Sequence, residues 1–252
     1  MAPEVQALAT GVHRVVDGLV NWYIVEDGDE IAIVDAGWPR SWPEVQSALS
    51  SLGRKPADIG TVLLTHGHPD HLGAAERIRR ETGAKVWAFT GEVDRVRGKA
   101  KGSSPFALVP SLLPTLVKPS ATAFVLRATA RGFMTPTWVE VVEPFGADAP
   151  LDLPGRPTVL LTPGHTQGHV SFLFGDRGTL ITGDAFATLD VLSRATGPRL
   201  LPDAVNGDPA RTRESLDVLG AVDADLLLPG HGEPYRGTPA EAVARARETI
   251  AA

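Results

Sequence analysis

Hydrophobic residues in the first third of the chain gather in short runs, rich in β-branched and aromatic side chains, which polar turn residues separate; this pattern is typical of β-strands. The runs are residues 11–16, 22–26, 30–35, 61–64 and 85–89. Asp27-Gly28-Asp29, between the second and third runs, favours a hairpin turn. The pattern therefore predicts a β-sheet at the beginning of the chain.

Apolar residues at helical spacing lie between some of these strands. Ser41-Trp42-Pro43-Glu44 predicts a capped helix start, with Ser41 as N-cap and Glu44 three residues later. A second helix is predicted from about His71 to Thr82. Strands that alternate with helices indicate α/β architecture, in which ligand-binding loops lie at the carboxyl ends of strands.

Residues 91–154 interrupt this alternation. They contain many prolines and several apolar pieces, such as residues 106–117 and 121–126. We interpret them as a partly helical insertion in a single domain that spans residues 1–252. Two roles stay open for the insertion: packing of the scaffold, or a lid that forms an apolar wall over the active site.

The regular pattern resumes after residue 154. Further strands are predicted at residues 158–162, 170–174, 179–182 and 225–228. Asp208-Pro209 favours the start of a helix, with an N-cap followed by proline. Thr238-Pro239-Ala240-Glu241 predicts a capping box at the start of the last helix.

The sequence from His66 to His71 holds four potential metal ligands within six residues: His66, His68, Asp70 and His71. In an extended stretch, imidazoles two residues apart can point to the same side, so His66 and His68 can share one metal. Asp70 and His71 follow Pro69 and can turn toward a second metal. Imidazole and carboxylate ligands suit zinc, iron or manganese.

Three more candidate ligands, His165, Asp184 and His231, follow predicted strands and lie beside glycine or proline. The seven side chains are too many for one tetrahedral zinc. They suit two ions about 3.5–4 Å apart that share a carboxylate and a hydroxide. Two cations lower the pKa of a bridging water to near neutrality, which predicts a hydrolase whose nucleophile is that hydroxide.

Five motifs carry a resemblance to a known family. They are Val34-Asp35-Ala36-Gly37, the segment from His66 to His71, His165 with His169, Thr182-Gly183-Asp184, and Pro229-Gly230-His231-Gly232. In order and spacing the chain resembles the metallo-β-lactamase superfamily, in its glyoxalase-II-like branch, over roughly residues 11 to 237. The resemblance implies an αββα sandwich with a metal site at one edge of the β-sandwich.

The resemblance also implies a role for each site residue. The first metal would be held by His66, His68 and His165, and the second by Asp70, His71 and His231. Asp184 would bridge the two ions. Asp35 and His169 would support the ligands without touching a metal, and Asp70 would also pass a proton to the leaving group. The implied cofactors are two divalent ions, with zinc expected first and iron or manganese as alternatives.

Composition narrows the reaction. The chain has no cysteine, which excludes thiolate ligands, whereas class B1 and B2 β-lactamases use a cysteine ligand. β-Lactamases also lack the bridging acid that Asp184 would supply. Only 21 residues follow His231, and this length disfavours the glutathione thioester that true glyoxalase II binds through a C-terminal helical domain. We therefore expect a thioesterase, lactonase or related esterase acting on a small or acyl-chain substrate.

Two other functions stay open. Some members of the family bind iron and act as oxidoreductases, by sulfur dioxygenation or O₂ reduction, and others are non-catalytic binding modules. All seven ligand positions are filled in this chain, and this favours hydrolysis over both alternatives.

Charge and hydropathy bear on partners and location. The net charge is −6 and no run of five or six basic residues occurs, which argues against nucleic acid as a partner. Met1 to Val5 lacks the basic start of a signal peptide, and no apolar run reaches the ~20 residues of a membrane span. From these features and the absence of cysteine we expect a cytoplasmic protein.

Overall fold

Two β-sheets face each other in this computed structural model, which describes residues 3–147 and 149–251. The strands are β1 (Glu4–Ala9), β2 (Val12–Asp17), β3 (Val20–Asp27), β4 (Glu30–Val34), β5 (Ile59–Leu64), β6 (Lys85–Phe89), β7 (Glu143–Phe145), β8 (Thr158–Leu161), β9 (Val170–Phe174), β10 (Thr179–Gly183), β11 (Ala187–Leu189), β12 (Thr196–Arg199), β13 (Leu226–Pro229) and β14 (Tyr235–Arg236). The first two residues of the N-terminal segment used above for the signal-peptide prediction lie outside the described residues.

Seven helices accompany the strands in the described part of the chain. They are α1 (Trp42–Ser51), α2 (Ala75–Thr82), α3 (Val93–Val96), α4 (Val109–Leu112), α5 (Pro119–Ala130), α6 (Pro209–Gly220) and α7 (Pro239–Ala251). Short 3₁₀ turns span Pro56–Asp58, Thr90–Glu92, Pro105–Leu108, Leu113–Val117, Gly175–Arg177 and Asp203–Val205. Within residues 3–147 and 149–251, no helix combines the length and the apolar character that crossing a membrane requires.

The first sheet contains β1 to β7 in chain order. Its strands are antiparallel from β1 to β4 and parallel from β4 to β7. The second sheet has the order β14-β13-β10-β9-β8, with β10 and β13 parallel to each other. Strands β11 and β12 form a small separate hairpin.

Side chains that alternate along the strands create three core layers. On β3, Ile24 packs in the layer that α1 and α2 cover, while Tyr23 and Val25 pack in the layer between the sheets. Leu216 of α6 and Val243 of α7 pack in a third layer, with residues of β10 and β13. The order helix, sheet, sheet, helix confirms the predicted αββα sandwich.

Ser41 is the N-cap residue as predicted, but its capping box does not form, whereas the predicted capping box of the last helix is confirmed. Ser41 precedes α1, but its hydroxyl donates to the carboxylate of Asp17 and makes no cap bond. Asp17 lies at the end of β2. A residue distant in the sequence therefore binds the hydroxyl that the local pattern assigned to the helix cap. At the start of α7, Thr238 Oγ1 accepts from Glu241 N at 3.3 Å, and Glu241 Oε2 accepts from Thr238 N at 3.2 Å.

Other differences concern boundaries. Strand β1 was not predicted. Helix α2 begins at Ala75 and not at His71, because residues 71–74 form turns in which the amides of His71 and Leu72 bond to the carbonyl of His68. These turns keep His71 at the end of the first sheet.

The connection between β6 and β7 (residues 90–142, called the β6–β7 connection below) contains α3, α4 and α5 and several 3₁₀ turns. Strand β7 follows it and pairs with β6 at the edge of the first sheet. The predicted insertion at 91–154 therefore contains one strand of the sheet as well as helices. The assignment of all 252 residues to a single domain stays a prediction.

The strands that precede the predicted site residues, β4, β5, β8, β10 and β13, end at the same edge of the sandwich. Strands β4 and β5 are parallel neighbours, and so are β10 and β13. Strand β8 runs in the direction of β10, because both are antiparallel to β9. The loops that leave the carboxyl ends of these strands are therefore close together, and they carry most of the polar residues selected from the sequence.

Candidate metal centre

All seven predicted ligands lie together at this edge. The loop after β5 supplies His66, His68, Asp70 and His71, and the loops after β8, β10 and β13 supply His165, Asp184 and His231. They form three overlapping groups of three residues, and within each group the ligand atoms lie within 4.8 Å of one another. Every one of the seven side chains is buried except that of His68, which is partly exposed.

Three imidazoles form the first group. His66 Nε2 lies 3.2 Å from His68 Nδ1, and His68 Nδ1 lies 2.8 Å from His165 Nε2. Three ring nitrogens that face a common point are the arrangement expected around one metal ion. These are the residues that the sequence assigned to the first metal.

Asp70, His71 and His231 form the second group. Asp70 Oδ2 lies 3.7 Å from His231 Nε2 and 3.9 Å from His71 Nε2. These spacings exceed a hydrogen bond and leave room for a cation between the three side chains. The second group also has the composition that the sequence predicted.

Asp184 lies between the two groups. Its Oδ2 is 3.2 Å from His165 Nε2 and 3.3 Å from His231 Nε2, and its Oδ1 is 3.4 Å from His71 Nε2. One carboxylate thus faces ligands of both groups, as the predicted bridging role requires.

Two buried atoms in the cluster show that the residues fit a metal. His71 Nε2 and Asp184 Oδ1 have no hydrogen-bond partner among the described residues. An unpaired buried polar group costs about 1–3 kcal/mol, so such atoms call for a partner. A divalent cation is the partner that both an imidazole nitrogen and a carboxylate oxygen accept.

The electrostatics of the cluster favour cation binding. Burial and the neighbouring imidazole of His71 lower the pKa of His66 well below its usual value, and burial and His165 do the same for His68. Both rings are therefore neutral, the form that binds metals. Burial also opposes a charge on His71, but the carboxylates of Asp184 and Asp35 outweigh it and raise the pKa of His71.

Hydrogen bonds fix the orientation of the ligand rings. His71 Nδ1 donates to Asp35 Oδ2 at 2.8 Å, His231 Nδ1 donates to the Leu19 carbonyl at 2.6 Å, and His165 Nδ1 donates to Asn206 Oδ1 at 2.9 Å. In the neutral form that binds a metal, each ring keeps its proton on Nδ1 and presents an unprotonated Nε2 to the centre. Such outer partners set the tautomer and the direction of metal-binding histidines.

Asp35 connects β4 to the ligand loop. Its backbone has a φ of 61°, a left-handed conformation that aspartate tolerates better than most residues. The carboxylate accepts from Thr65 N at 2.9 Å and from Thr65 Oγ1 at 2.8 Å, beside its bond to His71. The structure therefore places Asp35 against His71 and outside the three groups that could hold a metal, and its supporting role stays a prediction.

His169 lies beneath Asp184. Its Nε2 accepts a bond from the Asp184 amide at 3.0 Å, and its Nδ1 lies 2.9 Å from Thr162 Oγ1. Burial, with His165 nearby, lowers the pKa of His169 to about 3, which keeps Nε2 free to accept. The residue holds the backbone that carries Asp184.

Sequence reasoning missed Glu92, a buried carboxylate next to the site. Its Oε1 accepts from Gly67 N at 3.0 Å, and its Oε2 accepts from Gly168 N at 2.9 Å. One side chain thus joins the loop of His66 and His68 to the loop that follows His165. Glu92 stands beside Gly91 shortly after β6, so the strand-end rule that selected the ligands would also have selected it.

A second group that was missed holds the loop of His231. The carbonyl of Gly232 accepts from Arg14 Nη2 at 2.8 Å and from Asn21 Nδ2 at 2.7 Å. The carbonyl of Pro229 accepts from Tyr23 Oη at 2.6 Å. The first sheet therefore fixes a loop of the second sheet through the side chains of Arg14, Asn21 and Tyr23.

Gly230 in this loop allows the close approach of two ligands. A Cβ at this position would lie 2.2 Å from Asp184 Oδ1 and 2.7 Å from His71 Cε1. Any larger residue would push Asp184 or His71 out of place, which explains the glycine before His231.

A cavity of about 200 Å³ opens beside the cluster. Its floor contains His68, Asp70, His165, Asp184 and His231. Its walls are otherwise apolar apart from Thr129, and most of them come from the β6–β7 connection: Pro105, Leu108, Val109, Leu112, Leu116, Phe124, Val125, Ala128, Phe133 and Met134. Val191, Leu201 and Val205 complete the walls.

The comparison of sequences gives one family and several relatives. The family model described as "Metallo-beta-lactamase superfamily" matches residues 15–231. "Probable metallo-hydrolase YflN" of Bacillus subtilis is 28% identical over 243 residues, which cover 91% of this chain and 86% of that protein. "Hydroxyacylglutathione hydrolase GloC" of Haemophilus influenzae is 26% identical over 211 residues, 83% of each chain.

Solved structures agree with the fold. The metallo-beta-lactamase family protein TTHA1429 from Thermus thermophilus superposes with a TM-score of 0.69 at 26% identity, over 97% of this chain and 81% of that one. The Rm3 metallo-beta-lactamase superposes with a TM-score of 0.68 at 19% identity, over 100% of this chain and 93% of that one. The second likeness concerns the fold alone.

Proposed function

The chain belongs to the metallo-β-lactamase superfamily, and from this we propose that it is a hydrolase of thioesters, lactones or related esters of apolar acyl compounds. Metal-dependent hydrolysis is the class of activity that the family and the metallo-hydrolase relatives support. The bond, the two-metal site and the apolar substrate are our proposal. The observation that carries it is the convergence of seven candidate ligand side chains, five of which form the floor of an apolar cavity.

The ligand set supports two divalent ions, with zinc expected first. His66, His68 and His165 would hold one ion, Asp70, His71 and His231 the other, and Asp184 would face both. Two such ions supply Lewis acidity toward a carbonyl and lower the pKa of water toward neutrality. The chain itself fixes the ligand rings through Asp35, Asn206 and the Leu19 carbonyl, and Glu92 keeps two of the ligand loops together.

Asp70 is our candidate for proton transfer. Its carboxylate lines the cavity and lies 3.7 Å from the nearest ring nitrogen of His231. Of the two carboxylates in the floor, Asp184 is closer to ring nitrogens, at 3.2 and 3.3 Å. Asp70 is thus the less constrained of the two, and it would accept the proton that the attacking water loses and pass it to the leaving alcohol or thiol.

The cavity walls support an apolar substrate. Apart from the ligands in the floor, the lining offers a single hydroxyl, that of Thr129, and no lysine or arginine within the described residues. A substrate with a carboxylate at this side would lose its hydration without gaining a charge partner. This disfavours glutathione thioesters and β-lactams and favours neutral acyl chains.

A panel of thioesters, lactones and aryl esters with increasing acyl length tests the proposal. We expect hydrolysis, with KM falling as the chain grows, because each buried methylene contributes about 0.8 kcal/mol. Leu112→Asp, in the cavity wall, should raise KM at least tenfold for long chains and little for short ones. Val218→Asp, on the exposed side of α6, is the matched control and should change neither.

Two results would overturn the proposal. Equal effects of Leu112→Asp on long and short substrates would remove the apolar specificity. Oxygen consumption by the metal-loaded protein, without hydrolysis of any ester in the panel, would favour the oxidoreductase alternative.

A further inference from the structure

The β6–β7 connection has a charge opposite to that of the remaining chain. Residues 95–139 contain seven of the 24 basic residues and none of the 30 acidic residues, so this stretch carries a formal charge of +7 and the remainder carries −13. A net charge of −6 conceals this separation. Concentrated positive charge on a protein attracts anionic partners and steers their approach.

The same stretch also exposes apolar side chains. Nine large hydrophobic residues are exposed in the described part of the chain, and five of them fall between residues 106 and 126. They are Phe106, Val109, Leu113, Val117 and Leu126, and Val117 is the extreme case at 83% exposed. Exposed apolar side chains gathered in one region mark a binding surface for a protein or a membrane.

The two sides of these helices differ in what they contact. Leu108, Leu112 and Leu116 line the cavity, while Phe106 and Leu113 are more than half exposed. The connection therefore separates an apolar cavity from an outer surface that is also apolar. Contact with the cavity explains why the inner positions are leucine. It does not explain why the outer apolar side chains are exposed to solvent.

Cations accompany the exposed apolar residues. Lys118 directly follows Val117, and Arg127 directly follows Leu126. Exposed cations of the stretch for which no ion pair to a residue of 3–147 or 149–251 is found are Arg97, Lys99, Lys101, Lys118 and Arg127. Such cations can contact an external anionic surface without first breaking an ion pair within the protein.

We propose that the outer surface of residues 95–139 binds the surface of a lipid bilayer that contains anionic lipids. Phe106, Leu113, Val117 and Leu126 enter the boundary between headgroups and acyl chains, and the lysines and arginines contact the headgroups. Interfacial protein segments combine these two features, and each basic residue strengthens binding to anionic lipid.

A bilayer explains the surface better than two other partners. A symmetric contact with a second copy of the chain would bring two regions of +7 together, and like charges across an interface are unfavourable. Nucleic acid would satisfy the cations, but single strands bind through aromatic stacking, and four of the five exposed apolar side chains are aliphatic. Anionic lipid satisfies both the charges and the aliphatic groups.

The position of the surface also bears on the substrate. Acyl compounds partition into bilayers, and the helices that form the outer surface also form the cavity walls. A docked protein would therefore have its cavity next to the phase that contains such compounds. This last step rests on the proposed function, whereas bilayer binding does not.

Vesicle flotation with the full chain tests the inference. The probes are vesicles of phosphatidylcholine alone and of phosphatidylcholine mixed with phosphatidylglycerol. We expect binding to the mixed vesicles that weakens as salt is added, and little binding to phosphatidylcholine alone. Lys118→Glu with Arg127→Glu should weaken binding at least about 25-fold, since each lost charge costs about fivefold.

Matched variants separate the surface from general effects. Val117→Asp with Leu126→Asp should also weaken binding strongly. Because both side chains are exposed, the thermal midpoint of this variant should stay near that of the parent protein. Lys85→Glu and Val218→Asp alter an exposed cation and an exposed valine outside the stretch, and they should bind as the parent does.

Several outcomes would overturn the inference. They are absence of binding to the mixed vesicles, equal losses in the variants and their controls, and salt-independent binding to both kinds of vesicle. Self-association without lipid that Val117→Asp and Leu126→Asp abolish would assign the surface to a second copy. Tight retention of nucleic acid would assign it to that partner. Ester hydrolysis is measured separately, so bilayer binding can stand or fall without the proposed reaction.

Discussion

The ligand edge of the sandwich and the β6–β7 connection form opposite sides of the same cavity, and they are built by opposite means. At the ligand edge the polar side chains are buried, and hydrogen bonds between different strands and loops fix them. In the connection, apolar side chains line the cavity on one side and are exposed on the other. In the proposed function, the first region carries the reaction and the second controls access of the substrate.

The two regions also differ in how they attach to the remaining protein. Amides and side chains from several elements form hydrogen bonds to every ligand loop. The single side chain of Glu92 joins two of these loops. Apart from Glu92 at its beginning, the connection contacts the loops of the second sheet through few polar bonds, such as Ser111 Oγ to the Ala204 carbonyl at 2.8 Å. A region that can change without disturbing the ligands is well suited to determine specificity.

Replacing a shared ligand should have the largest effect. Asp184→Asn keeps the size of the side chain but removes the charge that faces both ligand groups. We expect the metal content to fall and kcat/KM to drop about a thousandfold or more, because the ions provide several kcal/mol of transition-state stabilisation. Metal analysis and ester hydrolysis check this, with Asp176→Asn at the 3₁₀ turn after β9 as the control. Full activity in Asp184→Asn would refute the bridging role.

A smaller loss should follow when a ligand keeps its place but loses its outer partner. In Asp35→Asn, the bond to His71 Nδ1 is weakened and the ring is no longer held by a carboxylate. Loss of such partners typically lowers metal affinity or activity about 10- to 100-fold. Competition with a chelator measures the affinity. An unchanged affinity would mean that Asp35 only supports the backbone.

Glu92→Gln should have an intermediate effect on stability and a modest one on metal binding. A glutamine has one carbonyl oxygen for two amide donors, so Gly67 N or Gly168 N loses its acceptor. We expect the free energy of unfolding to fall by about 1–3 kcal/mol. Denaturant titration measures the loss, with Glu140→Gln on the exposed surface as the control. Equal stability of the two variants would show that Glu92 does not hold the loops together.

The smallest effect on the metal site should come from the connection. Phe124→Ala removes part of the cavity wall without touching a ligand. We expect unchanged metal content, and a KM that rises several-fold for long acyl substrates and stays constant for short ones, because apolar contact area is lost. A fall in metal content would contradict the separation of the two regions.

The residues that meet at the ligand edge could be selected from the sequence because they obey a local rule. A histidine or aspartate beside glycine or proline, directly after a buried strand, can be recognised without coordinates. Such residues as Asn206 and Arg14 follow no local rule, since their partners are His165 and Gly232, far away along the chain. Ser41 failed for the same reason: Asp17 binds its hydroxyl and replaces the local cap.

The connection was harder to interpret because its apolar and charged residues do not recur at a regular helix or strand spacing. The sequence indicated helices and left packing and a substrate wall as alternatives. The coordinates show that residues such as Leu112 and Leu116 line the cavity, which supports the second interpretation. The separation of charge between residues 95–139 and the remaining chain can be counted from the sequence. It indicates a binding surface only together with the exposed apolar side chains of the connection, which the structure shows.

The metal-to-protein ratio of the purified chain, reconstituted with zinc and measured by elemental mass spectrometry, tests the central claim most directly. We predict two ions per chain, loss of hydrolysis when a chelator removes them, and recovery when they are restored. A metal-free preparation that hydrolyses esters at the full rate would contradict the account, and so would a chain that is fully active with a single ion.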